Sequence, residues 1–252
     1  MSGHSKWASI KHKKAATDAK RGQLFTKLAR AISVAAREGG GDPEANFTLA
    51  AAIDKARSYS MPKDNIQRAI ERGAGGGDDG DEIERVVYEG YGPGGAAILV
   101  EALTDNRNRT SAEVRHAFDT NGGSLGEPGS VAWQFERRGV VLIDAGSYSE
   151  DDLIPAIDAG ADDVIAEDDL LKVTADPASL TAVRGALEEA GVQIQSAELT
   201  MEPNAVVDVA GESEARRLMR LMDGLDEHDD VESVHANFDI PAELLEEAEA
   251  AA

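Results

Sequence analysis

The 252-residue chain contains no cysteine. That excludes disulfides, thiolate metal centres and a cysteine nucleophile, and it fits a reducing cytoplasm. Long apolar runs are also missing. The apolar stretches are short and interrupted, so no segment reads as a membrane-spanning helix. The basic residues near Met1 are not followed by an apolar run, so the sequence predicts no secretory signal. Histidine is scarce. His4, His12, His116, His228 and His235 are scattered, without metal-ligand spacing of the HExxH kind. His4 and His12 read as basic surface, His116 and His235 as ordinary domain residues. "YGPGG" follows a strand but leads into another, so it is a hairpin connection and not a dinucleotide loop. "RGAGGG" lacks the Lys-Ser/Thr of a phosphate-binding P-loop. Carboxylates are so abundant that pairs of them are expected by chance. No nucleophile or acid–base pair stands out, so the sequence predicts a non-enzyme with no cofactor, no metal and no small-molecule substrate.

What is present is charge, unevenly placed. The chain carries a formal −23, yet residues 1–75 hold 14 Lys and Arg against 7 Asp and Glu, a net of +7, which leaves −30 for the remainder. Like charge clustered at one end costs stability unless a partner offsets it, so the asymmetry points to a basic head that meets a polyanion. The segment "GHSKWASIKHKKAATDAKRG" concentrates Lys6, Lys11, Lys13, Lys14, Lys20 and Arg21 beside a single acid, Asp18. Lysines on an arm give contacts that are electrostatic and largely sequence-blind. Trp7, placed among them, suits base stacking or packing back on the bundle.

Residues 1–16 show no apolar period and read as an arm. From Asp18 to Glu38 the pattern is helical, with Leu24, Phe25, Leu28, Ile32 and Ala35/Ala36 on one side and Lys27, Arg30 and Arg37 on the other. A second helix is expected to be capped by Asp42 with Pro43 at its first position, and a third to start at Pro62 and stop at Gly73. These three helices form a small bundle whose basic face is read as Lys27, Arg30, Arg37, Lys55, Arg57, Lys63, Arg68 and Arg72. "GAGGGDDGDE" is a linker. Beyond it strands and helices alternate: strands 84–91 and 96–104, a helix from the capping box Thr110-Ser111-Ala112-Glu113, and a strand over 129–135. Residues 139–201 follow in βαββαβ order, the ferredoxin-like arrangement. Strand, helix and strand over 205–237 complete the pattern. The fold class is therefore multidomain, α and α+β: an N-terminal three-helix bundle followed by two ferredoxin-like α+β domains, one inserted in the other. The boundaries expected are 1–75 for arm and bundle, 76–83 for the linker, 84–136 with 203–240 for the outer α+β domain, 137–202 for the inserted one, and 241–252 for an acidic tail.

A possible phosphate site lies at "DNRNRT", where Arg107, Asn108 and Arg109 precede the expected helix N-terminus; free N–H groups and two guanidiniums attract anions. The competing reading pairs those arginines with nearby carboxylates.

"GHSKWASIKHKKAATDAKRGQLFTKLARAI", "GGGDPEANFTLAAAIDKA", "MPKDNIQRAI", "YEGYGPGGAAILVEALTDNRNRTSAEVRHAF" and "GSVAWQF" together resemble the YebC-type family, from the head to about residue 238. The resemblance implies a helical N-terminal domain with two α+β domains. It implies one of two activities: a DNA-binding transcriptional regulator, or a translation factor that assists the ribosome, including on proline-rich nascent stretches. The family's motif residues fall on Lys6, Trp7, Lys11, Lys13, Lys14, Lys20, Arg21, Lys27, Arg107, Asn108 and Arg109. Where many members carry "NPRLR", this chain has "NFTLA" at 46–50, without the two arginines.

The expectation is a cytoplasmic, non-enzymatic regulator of gene expression that binds nucleic acid through Lys6, Trp7, Lys11, Lys13, Lys14, Lys20, Arg21, Lys27 and Arg30. Its partner is ribosomal RNA or duplex DNA, with no membrane, and its oligomeric state is open. The ribosomal version is preferred because no helix-turn-helix is evident and the head lacks a set of base-reading side chains. A protein-interaction module docking on an acidic partner is the alternative from another class.

Overall fold

The computed structural model describes residues 18–75, 83–167, 169–241 and 244, with side chains from Gly22 onward. Lys6, Trp7, Lys11, Lys13, Lys14 and the side chains of Lys20 and Arg21 lie outside the described residues, as do 76–82 and most of the acidic tail. The chain divides into two compact units: residues 136–202, and the sequence on either side of them.

In the flanking unit, helix α1 spans Asp18–Gly39, α2 Phe47–Ser58 and α3 Lys63–Ala74. Helix α1 is buried all round from Ala31 to Ala36. Leu28, Ile32, Ala35 and Ala36 pack against Leu49, Ile53 and Ala56 of α2 and Ile66 and Ala69 of α3. Ala31 and Val34 pack the other way, against Leu103 of the sheet. The helix thus has two apolar stripes where one was expected, which is why it sits between the bundle and the sheet.

Helix α2 corrects the expected cap. Asp42 and Pro43 form a turn in which the Asp42 carboxylate accepts from the Glu44 N–H at 3.0 Å and its carbonyl from the Asn46 N–H at 2.9 Å. Buried Asn46 caps the helix instead. Its Oδ1 accepts from the Leu49 N–H at 3.0 Å, and its Nδ2 donates to the Ala35 and Gly40 carbonyls, each at 2.8 Å. One amide therefore closes the end of α1 and the start of α2. Helix α3 corrects the expected stop, since Gly73 is buried inside it. A Cβ there would stand 2.2 Å from the Ser33 carbonyl oxygen of α1, so glycine is what lets the two helices approach.

The sheet part of this unit begins with β1 (Glu84–Tyr91) and β2 (Ala97–Thr104), an antiparallel hairpin closed by a 3-10 turn at Pro93–Gly95. Helix α4 (Arg107–Thr120) and the short β3 (Ser124–Leu125) follow. The strand expected over 129–135 is absent there; Ala132–Gln134 form a 3-10 turn and the next strand starts at Phe135. After the 136–202 unit come β8 (Val207–Asp208), α7 (Glu212–Glu227), β9 (Val231–Ala236) and β10 (Phe238–Asp239). The four-stranded order is β3-β1-β2-β9, with β8 and β10 pairing separately. Val114 and Phe118 of α4 and Leu218, Leu221 and Met222 of α7 cover one face, over Val86, Ile98, Val100 and Val234.

The other unit comprises β4 (Phe135–Asp144), α5 (Ile154–Asp158) after a 3-10 turn, β5 (Ala161–Glu167), β6 (Leu170–Ala175), α6 (Leu180–Glu189) and β7 (Ile194–Pro203). Its order, β5-β6-β4-β7, is the ferredoxin-like one. Val141, Ile143, Leu171 and Val173 meet Val183 and Leu187 in its core. On the opposite face Lys172 is buried between Glu202 at 2.6 Å and Glu167 at 3.5 Å. Among the described residues no helix is long and apolar enough to cross a membrane.

Gly73→Ala is expected to lower stability by about 1–3 kcal/mol in urea unfolding, because the Ser33 backbone has nowhere to retreat. A loss below 0.3 kcal/mol would show that α1 and α3 separate easily.

Candidate nucleic-acid interface

The basic residues of α1 do not share a fate. Lys27 Nζ donates to the Asp226 carbonyl at 2.5 Å. Arg30 donates to the Leu103 carbonyl at 3.1 Å, the Asp229 carbonyl at 3.3 Å and the Asp230 carboxylate at 3.0 Å. Both side chains, expected on an open contact face, instead fasten the helix to the rest of the unit, Lys27 to the end of α7 and Arg30 to the end of β2 and the turn before β9. The reason is the second stripe: Lys27, Arg30, Ala31 and Val34 lie three and four residues apart, on the side that meets β2 and β9. Arg37, Lys63, Arg68 and Arg72 are exposed, and Arg57 pairs with Asp54 at 3.2 Å.

Asp230 is the centre of this contact. It is buried, and four side chains converge on it: Arg30, Arg109 at 2.7 Å, the Thr110 hydroxyl at 2.7 Å and the Thr104 hydroxyl at 3.3 Å. Burial alone would raise the Asp230 pKa; the bonds and charge from Arg109, Thr110 and Arg30 outweigh it and hold the carboxyl at about 2.

Helix α4 starts earlier than expected. Asn106 is its cap, accepting from the Arg109 N–H at 3.1 Å, so Arg107, Asn108 and Arg109 form its first turn and do not precede it. The capping box fails because the Thr110 hydroxyl is buried against Thr104 and Asp230. Arg109 is tied to Asp105 at 2.9 Å and to Asp230, which favours the carboxylate-pairing reading for that residue. Arg107 and Asn108 are exposed, and Arg107 makes no ion pair among the described residues.

Two further clusters bring carboxylate and histidine side chains together. Glu113, His228 and Asp230 come close enough to suggest a cation site. His228 Nδ1 accepts from the Asp230 N–H at 3.1 Å while Nε2 faces Glu113 at 2.8 Å, and both Asp230 oxygens are held by arginine and hydroxyl donors. Two guanidiniums on the same carboxylate make this set a poor fit for a metal. On the outer face of the sheet, Ser233 Oγ donates to Glu101 at 2.6 Å, with His235 Nε2 3.1 Å from Ser233. The serine hydroxyl bonds the acid itself, so this is not the serine–histidine–acid order of a nucleophilic triad. Burial would raise the Glu101 pKa, but His235, Ser233 and Arg85 bring it down to about 2.

The comparisons with known proteins fit this architecture. Residues 5–76 match the TACO1/YebC protein N-terminal domain, and residues 83–238 match the TACO1/YebC second and third domain. The chain belongs to the TACO1/YebC family. A probable transcriptional regulatory protein of Rubrobacter xylanophilus is 55% identical over 248 residues, covering 98% of this chain and 99% of that one. One of the same description from Halothermothrix orenii is 53% identical over 250 residues, 98% of each. The crystal structure of a conserved hypothetical protein from Aquifex aeolicus superposes with a TM-score of 0.84 at 47% identity, covering 95% of this chain and 99% of that one. The chain is thus similar throughout to regulatory proteins of the YebC family.

This YebC-family chain also buries a carboxylate under the loop that follows β3. Buried Glu89 accepts from the N–H groups of Gly129 at 2.6 Å, Val131 at 2.7 Å and Ala132 at 2.8 Å. Burial raises its pKa, but these three bonds lower it further and keep the carboxylate ionised. The loop so held displays Trp133, 72% exposed. Its indole N–H and the Tyr91 hydroxyl both donate to the Ser130 carbonyl, at 3.1 and 3.0 Å. The "EPG" turn signal at 127–129 was the hint; the apolar run after it reads as a strand.

Asp230→Asn is expected to cost about 2–3 kcal/mol of stability at neutral pH, since it removes the charge that two arginines face. The folded-state pKa lies below the ordinary carboxylate value, so this contribution is complete above about pH 4 and fades as pH falls toward about 2. Denaturant unfolding should therefore show the gap between the two proteins narrowing across that window. A gap that stays constant would contradict the ion-pair account.

Proposed function

We propose that the protein is a cytoplasmic regulator of gene expression that binds ribosomal RNA through its basic N-terminal segment and acts on slow or stalled translation. The observation that carries this reading is the charge division: +7 over residues 1–75 against −30 over the rest. Bare duplex would be repelled by the acidic body, so contact is confined to the basic end. The inward engagement of Lys27, Arg30 and Arg109 supports a narrower contact set than the whole basic face. The residues proposed to meet phosphate are Lys6, Lys11, Lys13, Lys14, Lys20 and Arg21, with Trp7 stacking and Arg107 and Asn108 as a secondary anion contact. The proposed role is non-catalytic.

The second reading, DNA-binding transcriptional control, is favoured by the printed description of the relatives, "probable transcriptional regulatory protein". Competition separates the two. Co-sedimentation with ribosomes should survive saturating duplex DNA at matched salt, and loss of the protein to the DNA would favour the transcriptional reading. Either version requires a steep salt response. Neutralising about five phosphates gives a log–log slope near −4 to −5, whereas a flat response would sink both. Lys11→Glu, Lys13→Glu and Lys14→Glu together are expected to abolish binding with the circular dichroism unchanged; full binding by this variant would move the contact away from the head.

A further inference from the structure

We propose that the groove between α1 and α3 is a binding site for one unstacked nucleotide of a single-stranded nucleic acid. The inference rests on the nucleic-acid reading above and assigns it a specific cleft. The groove has a volume of about 420 Å³, within the range of small-ligand sites, and it accommodates a nucleotide. Its floor is apolar, formed by Phe25 and Ala29 of α1, Ala69 of α3 and Met61. Its rim carries Arg68 and Arg72, one turn apart on α3 and both exposed. Neither forms an ion pair among the described residues; Arg68 donates only its Nε–H, to the Asp64 carbonyl at 3.1 Å. The nearby acid Glu71 is engaged elsewhere, accepting from Gln67 at 2.9 Å. Asn65, half-buried on the same wall, has a side-chain amide with no hydrogen bond among the described residues.

These features fit together. Two like charges one turn apart on a helix repel, and a shared anion removes the penalty. An apolar floor beside two guanidiniums that have no carboxylate partner among the described residues fits a ligand that is flat and apolar in its body and anionic at its edge. In a single strand the base lies on the floor beside Phe25, the flanking phosphates reach Arg68 and Arg72, and Asn65 meets the base edge. A duplex keeps its bases stacked, so it does not enter the groove and is held by the head alone. Arg30, on the opposite wall, is already matched by Asp230 and shapes the groove without charging it.

The test is fluorescence anisotropy at one salt concentration with a labelled ten-nucleotide RNA, the duplex of the same length, and the same strand made abasic at alternate positions. The single strand should bind at least about fivefold tighter than the duplex, and the abasic strand should lose about tenfold. Arg68→Gln with Arg72→Gln should weaken the single strand about tenfold and erase the preference, with duplex affinity and thermal midpoint retained. Asn65→Ala checks the wall separately and should narrow the preference. Equal binding of single strand and duplex by the unmodified protein overturns the proposal. So does a preference that survives in the double variant, or displacement of the RNA by polyglutamate of equal charge, which would identify an acidic-peptide groove. If the unmodified protein binds no nucleic acid, the functional reading itself fails. If the head charge reversals abolish binding while the double variant behaves normally, only the groove fails.

Discussion

The carboxylate of Asp230 holds the flanking unit together. Removing a carboxylate from water is expensive unless charge and hydrogen bonds replace the lost hydration. Here the replacement comes from far apart in the chain: Arg30 of α1, Thr104 at the end of β2, and Arg109 and Thr110 of α4. The shared acceptor ties together elements that their own signals place: Asn106 caps α4, and the apolar stripe of Ala31 and Val34 lays α1 on the sheet. Around this polar centre the apolar contacts are modest, Ala31 and Val34 against Leu103. The ion pairs therefore set direction, and the small side chains allow close approach.

The arrangement changes which cations are available. A count of basic residues treats the head as uniformly ready for a polyanion. The structure divides them: Lys27 and Arg30 serve the interior contact while Arg68 and Arg72 face outward, and the same division separates Arg109 from Arg107 on α4. Inward pairing of this kind also explains how a positively charged helix tolerates its own clustering, since Asp230 and the carbonyls around the α7–β9 turn supply the compensation that solvent would otherwise provide.

The element order of the ferredoxin-like unit was legible, because its elements are short, periodic and bounded by turn residues; its first strand starts earlier, at Phe135, and its first helix is a 3-10 turn followed by the short α5. The three bundle helices and α4 were legible as helices, but the starts of α2 and α4 were not. Asp42-Pro43 and Thr110-Ser111-Ala112-Glu113 satisfy local capping rules, and a distant partner overruled each: Asn46 bridges two helices, and Thr110 is drawn to Asp230. The spacing of Lys27, Arg30, Ala31 and Val34 was a readable second stripe. Its charged members masked it, since lysine and arginine normally mark solvent. Glu89 gave no local signal, because its three partners lie about forty residues away. Trp133 was hidden by the apolar run around it, which reads as a strand.

The account makes Arg30 a fastening residue and leaves polyanion contact to the segment before it and to the outward-facing arginines. The most direct measurement is the affinity of Arg30→Gln for single-stranded RNA across a salt series, taken with its unfolding midpoint. The account predicts a lowered midpoint, an affinity within about twofold of the unmodified protein and an unchanged salt slope. A slope shallower by about 0.7, with affinity lost and stability unchanged, would place Arg30 on phosphate and contradict it.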